Sequence, residues 1–583
     1  MSLTGVQLDR GRFSAESLSL NSKSNIVKEA LLACRHYFLV AAGFSLAINL
    51  LYLASPLYML QIYDRVVSSG SETTLVMLTI VLVAAFLALA GLDLVRARIL
   101  TRASARLDRL LSAKVVAASL EASSPGSSLS QPIRDFDTFR QVITGSGIHA
   151  LLDLPWSPIY IAIIFLLHPW LGFFALGSSL LLIAMAVTNE FLVRGPLKQA
   201  NDVATANYAF TEMSLRNAEV VRAMGMIDGL IRRWERDRNL ALRRQADASD
   251  RAAFMSGLIR FLRLTMQSLI LGLGAYLVIE RQTSAGSIFA ASLLLGRGLQ
   301  PVEQIVGVWR SLVLARGALA RVRKLVEGDV RNDRSFNLPK PTGKISVEQV
   351  SYALPNLQKV LLRDISFRLE AGEALGIIGP SGAGKSTLAR HLAGVMQPSR
   401  GTVRLDGADM AQWGRDALGD HIGYLPQDIE LFSDTIAANI GRFKTNVDQE
   451  VIEAARLAGV HDMIIRLPQG YETQIGEGGA VLSGGYRQRI ALARAVFGTP
   501  NLIILDEPSS NLDADGDRAL SECAIELKRR GSTLIIVSHR PSTLANVDKI
   551  LLLREGALDA FGMRNEIVAL LNQRAAPIEV ATQ

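Results

Sequence analysis

Six apolar runs, each long enough to cross a bilayer as a helix, fall within the first 313 of 583 residues: Phe38–Leu60, Leu75–Leu94, Leu151–Leu167, Trp170–Val187, Leu258–Ile279 and Ile288–Val313. A helical span takes about 17–25 residues, and backbone in lipid must satisfy its own hydrogen bonds, so these runs are expected as membrane helices. One such run could be a buried hairpin of a soluble protein, but six in succession argue against it. The third and fourth are divided only by His168-Pro169, and the sixth carries Arg297 and Glu303. Charges are costly in lipid, so these two are expected to face each other or a cavity, where they would line a path through the membrane.

The links between runs alternate in character. Gln61–Thr74, His168-Pro169 and Glu280–Ser287 are short and poor in basic residues, whereas Val95–Ala150 and Asn189–Arg251 are long and rich in them. Basic links lie on the cytoplasmic side, which places both long links and both ends of the membrane region there. The formal charge of +8 divides accordingly: residues 1–340 hold 37 Lys and Arg against 25 Asp and Glu, and residues 341–583 hold 25 against 29. The basic excess is therefore topology and not a nucleic-acid footprint. Helical periodicity continues from the spans into Arg98–Leu120 and Phe210–Leu242, so long helical stalks are expected. The first 35 residues, polar and without an apolar core or cleavage site, are read as a cytoplasmic segment and not a signal peptide. Two cysteines, Cys34 and Cys523, cannot build a disulfide framework and are expected as reduced structural thiols.

After a membrane domain at 36–326, periodicity stops in a linker rich in charge, Asn and Pro at 327–342. From 343 to 583, short β-branched runs (Leu375–Ile378, Leu502–Leu505, Thr533–Val537 and Ile550–Leu553) alternate with helical segments. That pattern reads as an α/β domain around a buried, largely parallel sheet. Pro355-Asn356 is read as a turn, and Lys528-Arg529-Arg530 as a solvated helix face.

The run Gly379-Pro380-Ser381-Gly382-Ala383-Gly384-Lys385-Ser386-Thr387 follows an apolar strand and opens a helix, the context a phosphate-binding loop requires. Its glycines let backbone N–H groups close on phosphate, Lys385 reaches the β and γ phosphates, and Ser386 supplies a Mg²⁺ ligand. Leu502–Leu505 ends in Asp506, suited to the Mg²⁺ shell, and Glu507, suited to polarising the attacking water as general base.

Between them stands Leu482-Ser483-Gly484-Gly485-Tyr486, and here the chain resembles the ATP-binding-cassette (ABC) ATPases, whose signature is Leu-Ser-Gly-Gly-Gln. The resemblance covers 341–583 and implies adenine stacking by Tyr352, a Q-loop at Gln427 that serves as a metal ligand and senses both the nucleotide and the coupling segments, a D-loop at Ser510–Asp513 and a switch at His539. Tyr486 departs from the family's Gln and is expected to tune affinity or stacking without abolishing turnover; Ser483 and Gly485, which meet the γ-phosphate in the family, are intact. With one P-loop and one signature, and with the signature completing the opposite subunit's site in this family, a homodimer with two equal ATP sites is implied. Segments around Phe136–Gly145 and Asn217–Ile227 are expected to carry motion from the cassettes to the membrane helices.

Membrane domain first and P-loop domain second resembles the exporter type of ABC transporter. SPLYMLQIYDRVV at 55–67, DLPWSPIYIAIIFLLHPWLG at 153–172, GRGLQPVEQIVGVW at 296–309 and EPSSNLD at 507–513 resemble the type I secretion permease/ATPases that export metalloproteases and calcium-repeat proteins. That resemblance implies an inner-membrane, lipid-embedded engine working with a periplasmic membrane-fusion adaptor and an outer-membrane channel, and moving an unfolded protein with a C-terminal signal. The short polar N-terminus is expected to hold no leader-trimming peptidase domain, leaving Cys34 without a processing role. An exporter of lipid, drug or peptide shares the same ATPase and topology and stays open as an alternative. A nucleotide-gated channel or regulator is disfavoured by Glu507 and His539, which serve sustained hydrolysis.

Overall fold

The computed structural model describes residues 26–122, 131–329, 338–354, 359–476, 479 and 481–575; the Pro355-Asn356 turn lies outside them. The chain divides into two compact units, Met1–Arg331 and Asn332–Gln583. The first is helical: α1 (Ile26–Ala33), α2 (Arg35–Leu51), α3 (Ala54–Gln61), a π-helical turn (Ile62–Val66), α4 (Val67–Ser69), α5 (Glu72–Glu121), α6 (Gln131–Thr144), α7 (Ser146–Asp153), α8 (Ser157–Leu167), α9 (Pro169–Arg216), α10 (Ala218–Ala223), α11 (Ile227–Ile279), α12 (Ala285–Gly307) and α13 (Trp309–Asp329). Five helical stretches are long and apolar enough to cross a membrane: Arg35–Ser69, Glu72–Glu121, Gly147–Leu167, Pro169–Arg216 and Ile227–Ile279. The sixth span is α12, whose 23 residues reach about 35 Å at about 1.5 Å per residue; it holds Arg297 and Glu303 and is largely packed among other helices. It ends at Gly307, short of the expected Val313, and α13 starts afresh at Trp309.

The stalks are present. At about 1.5 Å per residue, the 50, 48 and 53 residues of α5, α9 and α11 are each about 70–80 Å long, more than twice a hydrocarbon core. Local chemistry sets their ends. Ser71 caps α5 by accepting from the Thr74 N–H, and His168, extended as a residue before proline must be, hands the chain to Pro169 at the first turn of α9. Gly172 lets α9 close on α8, because a Cβ there would lie 2.2 Å from the Phe165 ring. The Phe136–Gly145 segment is not a loop: α6 covers most of it and buries Phe136 and Ile143 against Leu107, Leu111, Val115, Val322 and Val326. Asp135 anchors the same helix through a two-pronged ion pair with Arg321 at 2.6 and 2.7 Å. Asn217–Ile227 forms the turn between two stalks, with α10 at its tip and Val220 and Met224 exposed.

The second unit contains β1 (Ile345–Ala353), β2 (Val360–Leu369), β3 (Ala374–Ile378), α14 (Lys385–Leu392), β4 (Arg400–Leu405), β5 (Ala408–Asp409), α15 (Arg415–Gly419), β6 (Ile422–Leu425), α16 (Ile436–Ile440), α17 (Asp448–Leu457), α18 (His461–Ile465), α19 (Gly484–Val496), β7 (Leu502–Asp506), α20 (Ala514–Arg529), β8 (Thr533–Val537), β9 (Lys549–Arg554), β10 (Ala557–Met563) and α21 (Arg564–Ala575). The main sheet runs β10-β9-β3-β8-β7-β6, parallel except for β10 on β9. Its inner strands β7 and β8 are buried at every position, which is why they read as unbroken apolar runs. A second, antiparallel sheet, β2-β1-β4-β5, was not anticipated. Its strands alternate buried and exposed residues, as Ile345–Val350 does, and so lack a continuous apolar signal.

Candidate functional site

The carboxyl ends of β3, β7 and β8 bring the candidate residues together, as expected where parallel strands feed helices. Between β3 and α14 the loop bends through glycines at positive φ: Gly379 (150°), Gly382 (79°) and Gly384 (96°). Side chains have no room at two of them, since a Cβ on Gly379 would lie 2.2 Å from the Leu553 carbonyl oxygen and one on Gly384 2.9 Å from that of Leu361. Lys385 folds its ammonium back into the loop, donating to the carbonyls of Gly379 (2.8 Å) and Pro380 (3.0 Å). Burial pushes the Lys385 ammonium below its ordinary range, against the pull of Glu507 and Asp506.

Ser386, in the first turn of α14, lies with its Oγ 3.2 Å from Asp506 Oδ1 and 3.5 Å from Gln427 Oε1. Three oxygens of three elements thus converge, a donor set that suits a hard cation such as Mg²⁺. Asp506 is 1% exposed, and burial pushes its carboxyl up while the Ser386 hydroxyl holds it back. A divalent cation would supply the countercharge this carboxylate lacks.

One residue on, Glu507 sits at φ 50°, in the left-handed region that non-glycine residues rarely adopt. Its N–H donates to the Val537 carbonyl at 2.9 Å, which fixes the side chain at the end of the strand. Gln427 Nε2 donates to one of its oxygens at 3.2 Å, and His539 Nε2 lies 3.3 Å from the other. Gln427, Glu507 and His539 therefore meet around one carboxylate, beside the metal-suited oxygens. A carboxylate in that position can orient a water for attack on a phosphate held by the loop.

The signature residues form a separate cluster. Ser483 caps α19 by accepting from the Tyr486 N–H, and Gly484 and Gly485 pack against Asn511. Arg489 of α19 donates to Asp513 at 2.8 Å, while Asp513 also caps α20 through the Gly516 N–H at 2.8 Å. Those bonds hold the Asp513 carboxyl below the ordinary carboxylate range, with the Gly516 N–H the larger cause. Among the described residues no hydrogen bond joins Ser483, Gly484 or Gly485 to the loop at 379–387. Tyr486 packs its ring on the domain's apolar core. Tyr352, on β1, meets His391 edge-to-face at 5.0 Å and stays half-buried.

The sequence reading named neither the support behind these groups nor the membrane polar clusters. Gln488, 1% exposed, donates to the Pro508 carbonyl at 2.7 Å and accepts from Asn511 at 3.3 Å, tying the signature helix to the segment after Glu507. In the membrane unit Arg297 does not pair with Glu303. Arg297 donates to Gln300 at 3.1 Å and stacks over Tyr52 at 3.8 Å, while Glu303 pairs with Arg263 of α11 at 2.5 Å.

Residues 362–510 match the sequence profile of ABC transporters, and residues 38–300 that of the ABC transporter transmembrane region. The chain is 42% identical over 560 residues to the type I secretion system ATP-binding protein PrsD of Rhizobium meliloti (strain 1021), covering 95% of each chain. It is 29% identical over 557 residues to the leukotoxin translocation ATP-binding protein LktB of Mannheimia haemolytica, covering 92% of this chain and 77% of that one. Among solved structures, a bacterial Atm1-family ABC exporter with ATP bound superposes with a TM-score of 0.78 at 23% identity, over 94% of this chain and 99% of the other.

Proposed function

The chain belongs to the type I secretion ATP-binding proteins, a family of ABC transporters, and on that premise we propose that it is the ATP-driven engine that moves an unfolded polypeptide out of the cytoplasm. It is a multi-pass membrane protein with an ATPase unit. The observation that carries the reading is the pairing, in one chain, of a membrane unit of five long apolar helices and the packed helix α12 with a site where Ser386, Asp506, Gln427, Glu507 and His539 each lie within bonding distance of another of the set.

In this reading Gly379–Thr387 cradles the phosphates, Ser386, Gln427 and Asp506 hold Mg²⁺, and Glu507 takes the proton of the attacking water while His539 and Gln427 fix its carboxylate. Mg²⁺ would neutralise charge on the phosphate oxygens. Tyr352 offers a ring face to adenine. Ser483, Gly484, Gly485 and Asp513 complete the site of a second copy, which explains a signature cluster that bonds nothing in its own loop; two copies then make two equal sites. Residues 327–342 link the domains, and the turn at 217–227 takes up the ATPase cycle. The polypeptide leaves through an inner-membrane position with both termini and the ATPase cytoplasmic, handed to a periplasmic adaptor and an outer-membrane channel.

Cells whose only copy carries Glu507→Gln are expected to lose one specific protein from the culture medium, with that protein's abundance inside the cell unchanged or higher. An unchanged set of secreted proteins, with ATPase activity lost, would overturn protein export in favour of a lipid or drug cargo.

A further inference from the structure

Between α11 and α12 lies a cavity of about 790 Å³ whose charged lining is Arg260, Arg263, Arg297 and Glu303, with Gln300 and Gln304 beside them. Each helix contributes one face: Arg260 and Arg263 are three residues apart, as are Arg297, Gln300 and Glu303. Three guanidiniums face one carboxylate, and that carboxylate is already engaged by Arg263 at 2.5 Å. Arg297 has only neutral partners, the Gln300 amide and the Tyr52 ring, and Arg260 has no ion pair among the described residues. Net positive charge therefore stands uncompensated on the cavity wall.

Its depth makes that charge costly. Arg297 lies 12 residues into α12, about 18 Å below the helix start at about 1.5 Å per residue, against a hydrocarbon thickness of about 30 Å. Glu303 and Arg263 lie further from the outer ends of their helices, towards the cytoplasmic boundary. A cation held there faces water or an anion. The wall also leaves space for a chain, since nothing lies within 4 Å of where a Cβ would sit on Gly257 or Gly307, both of which line the cavity.

We propose that this cavity is a carboxylate-binding site in the export path, where Arg260 and Arg297 receive acidic groups of the passenger polypeptide. The inference rests on the reading of the chain as a protein exporter and adds the chemical class of the segment it engages. Guanidinium and carboxylate match two-pronged, so an Asp or Glu side chain and a chain-terminal carboxylate are both suited to it. Arg263 and Glu303 hold α11 to α12 and keep the cavity's shape.

The test uses the purified full chain in nanodiscs of zwitterionic lipid and a fluorescent oligoglutamate peptide with an amidated C-terminus. Oligoglutamine peptides with free and amidated C-termini separate the terminal from the side-chain carboxylate. Oligoglutamate is expected to bind at least about tenfold more tightly than amidated oligoglutamine, one lost charge-assisted contact being worth about a factor of ten. Arg260→Gln with Arg297→Gln should remove that preference at an unchanged melting temperature, and Arg260→Lys with Arg297→Lys, which keeps the charge but not the planar fork, should retain only part of it. Equal binding of the two amidated peptides, or a preference that survives the Gln pair, overturns the proposal. So does loss of the preference in nanodiscs containing phosphatidylglycerol together with co-purification of that lipid by the wild type and not by the Gln pair, which assigns the cavity to a headgroup. If Glu507→Gln cells secrete normally, the export reading fails whatever the peptides do; if secretion stops and the peptides show no charge preference, only the cavity assignment falls.

Discussion

Asp506 in the ATPase unit and Arg96 in the membrane unit are buried to nearly the same degree, 1% and 4% exposed, yet their surroundings differ. Arg96 of α5 donates to Asp153 at 2.9 Å, to Asp93 at 2.7 Å and to the Ser45 hydroxyl at 3.1 Å. Asp153 also accepts from Asn49 at 3.0 Å and from Ser45, and Asn49 in turn accepts from the Tyr160 hydroxyl at 2.9 Å. Both terminal guanidinium nitrogens are paired within the protein, Nε alone being left without a partner, and the network staples α2, α5, α7 and α8 together. Asp506 has a serine hydroxyl for a direct partner, and burial raises its carboxyl. A buried charge with its countercharge built in fixes geometry. One that lacks it waits for a ligand.

The contrast orders the expected effects of substitution. Glu507→Gln keeps the shape of the site and removes the base, so ATP hydrolysis should fall about 10²–10⁴-fold while nucleotide binding persists; steady-state hydrolysis and nucleotide-analogue binding on the purified chain separate the two. Arg96→Met leaves Asp153 with a charge and no cation, and should cost about 3–5 kcal/mol, read as a lower melting temperature of the membrane unit. Adding Asp153→Leu should recover much of that loss, because an apolar pair replaces the ion pair. A recovery that fails would show the network to be more than a staple.

Asp506→Asn should act in opposite directions on function and stability. Hydrolysis is lost, but without nucleotide or metal the ATPase unit should melt at a higher temperature near neutral pH. The sign follows from the raised carboxyl: above its folded-state pKa the buried carboxylate opposes folding, and Asn removes that penalty. As pH falls through the raised pKa towards the ordinary carboxylate range, the wild type becomes neutral there and the difference should close. Equal melting temperatures at neutral pH would mean that Asp506 is not held at a cost. The smallest effect is expected at the outer end of the membrane unit, where Tyr63 of the π-helical turn stacks on Phe289 at 4.2 Å and Asp64 accepts from Ser284 and the Gly286 N–H at the start of α12. Phe289→Leu should cost about 0.5–1.5 kcal/mol beyond lost area, measured by melting.

How much was legible in the sequence follows the same division. The ATPase site uses contiguous signals, because a phosphate loop, a strand ending in Asp506-Glu507 and a signature each need their residues at fixed local spacing. Every candidate there could be named by number, and Gln427, Glu507 and His539 meet although 32 to 112 positions separate them. The half-exposed strands of the second sheet were missed because alternation dilutes their apolar signal. In the membrane unit the apolar runs announced the spans, but the polar partners did not: Arg96 and Asp153 are 57 positions apart, and no local pattern links them. Arg297 and Glu303 look like partners on one helix, yet Glu303 turns to Arg263 across the cavity. The segment at 136–145 reads as a link because it is polar overall, while its one apolar face is buried as α6.

The central claim is that one chain is half of an ATP-driven engine, with the loop at 379–387 of one copy completed by Ser483–Gly485 of another. The most direct measurement mixes two inactive chains: Lys385→Ala, which keeps a working signature, and Ser483→Arg, which keeps a working loop. Each alone should be nearly inactive. Co-expressed and purified through separate tags, the mixed pair should regain a substantial fraction of wild-type ATP hydrolysis, from its one intact composite site. No recovery in a mixed pair whose assembly is verified, or full activity of either variant alone, would contradict the account.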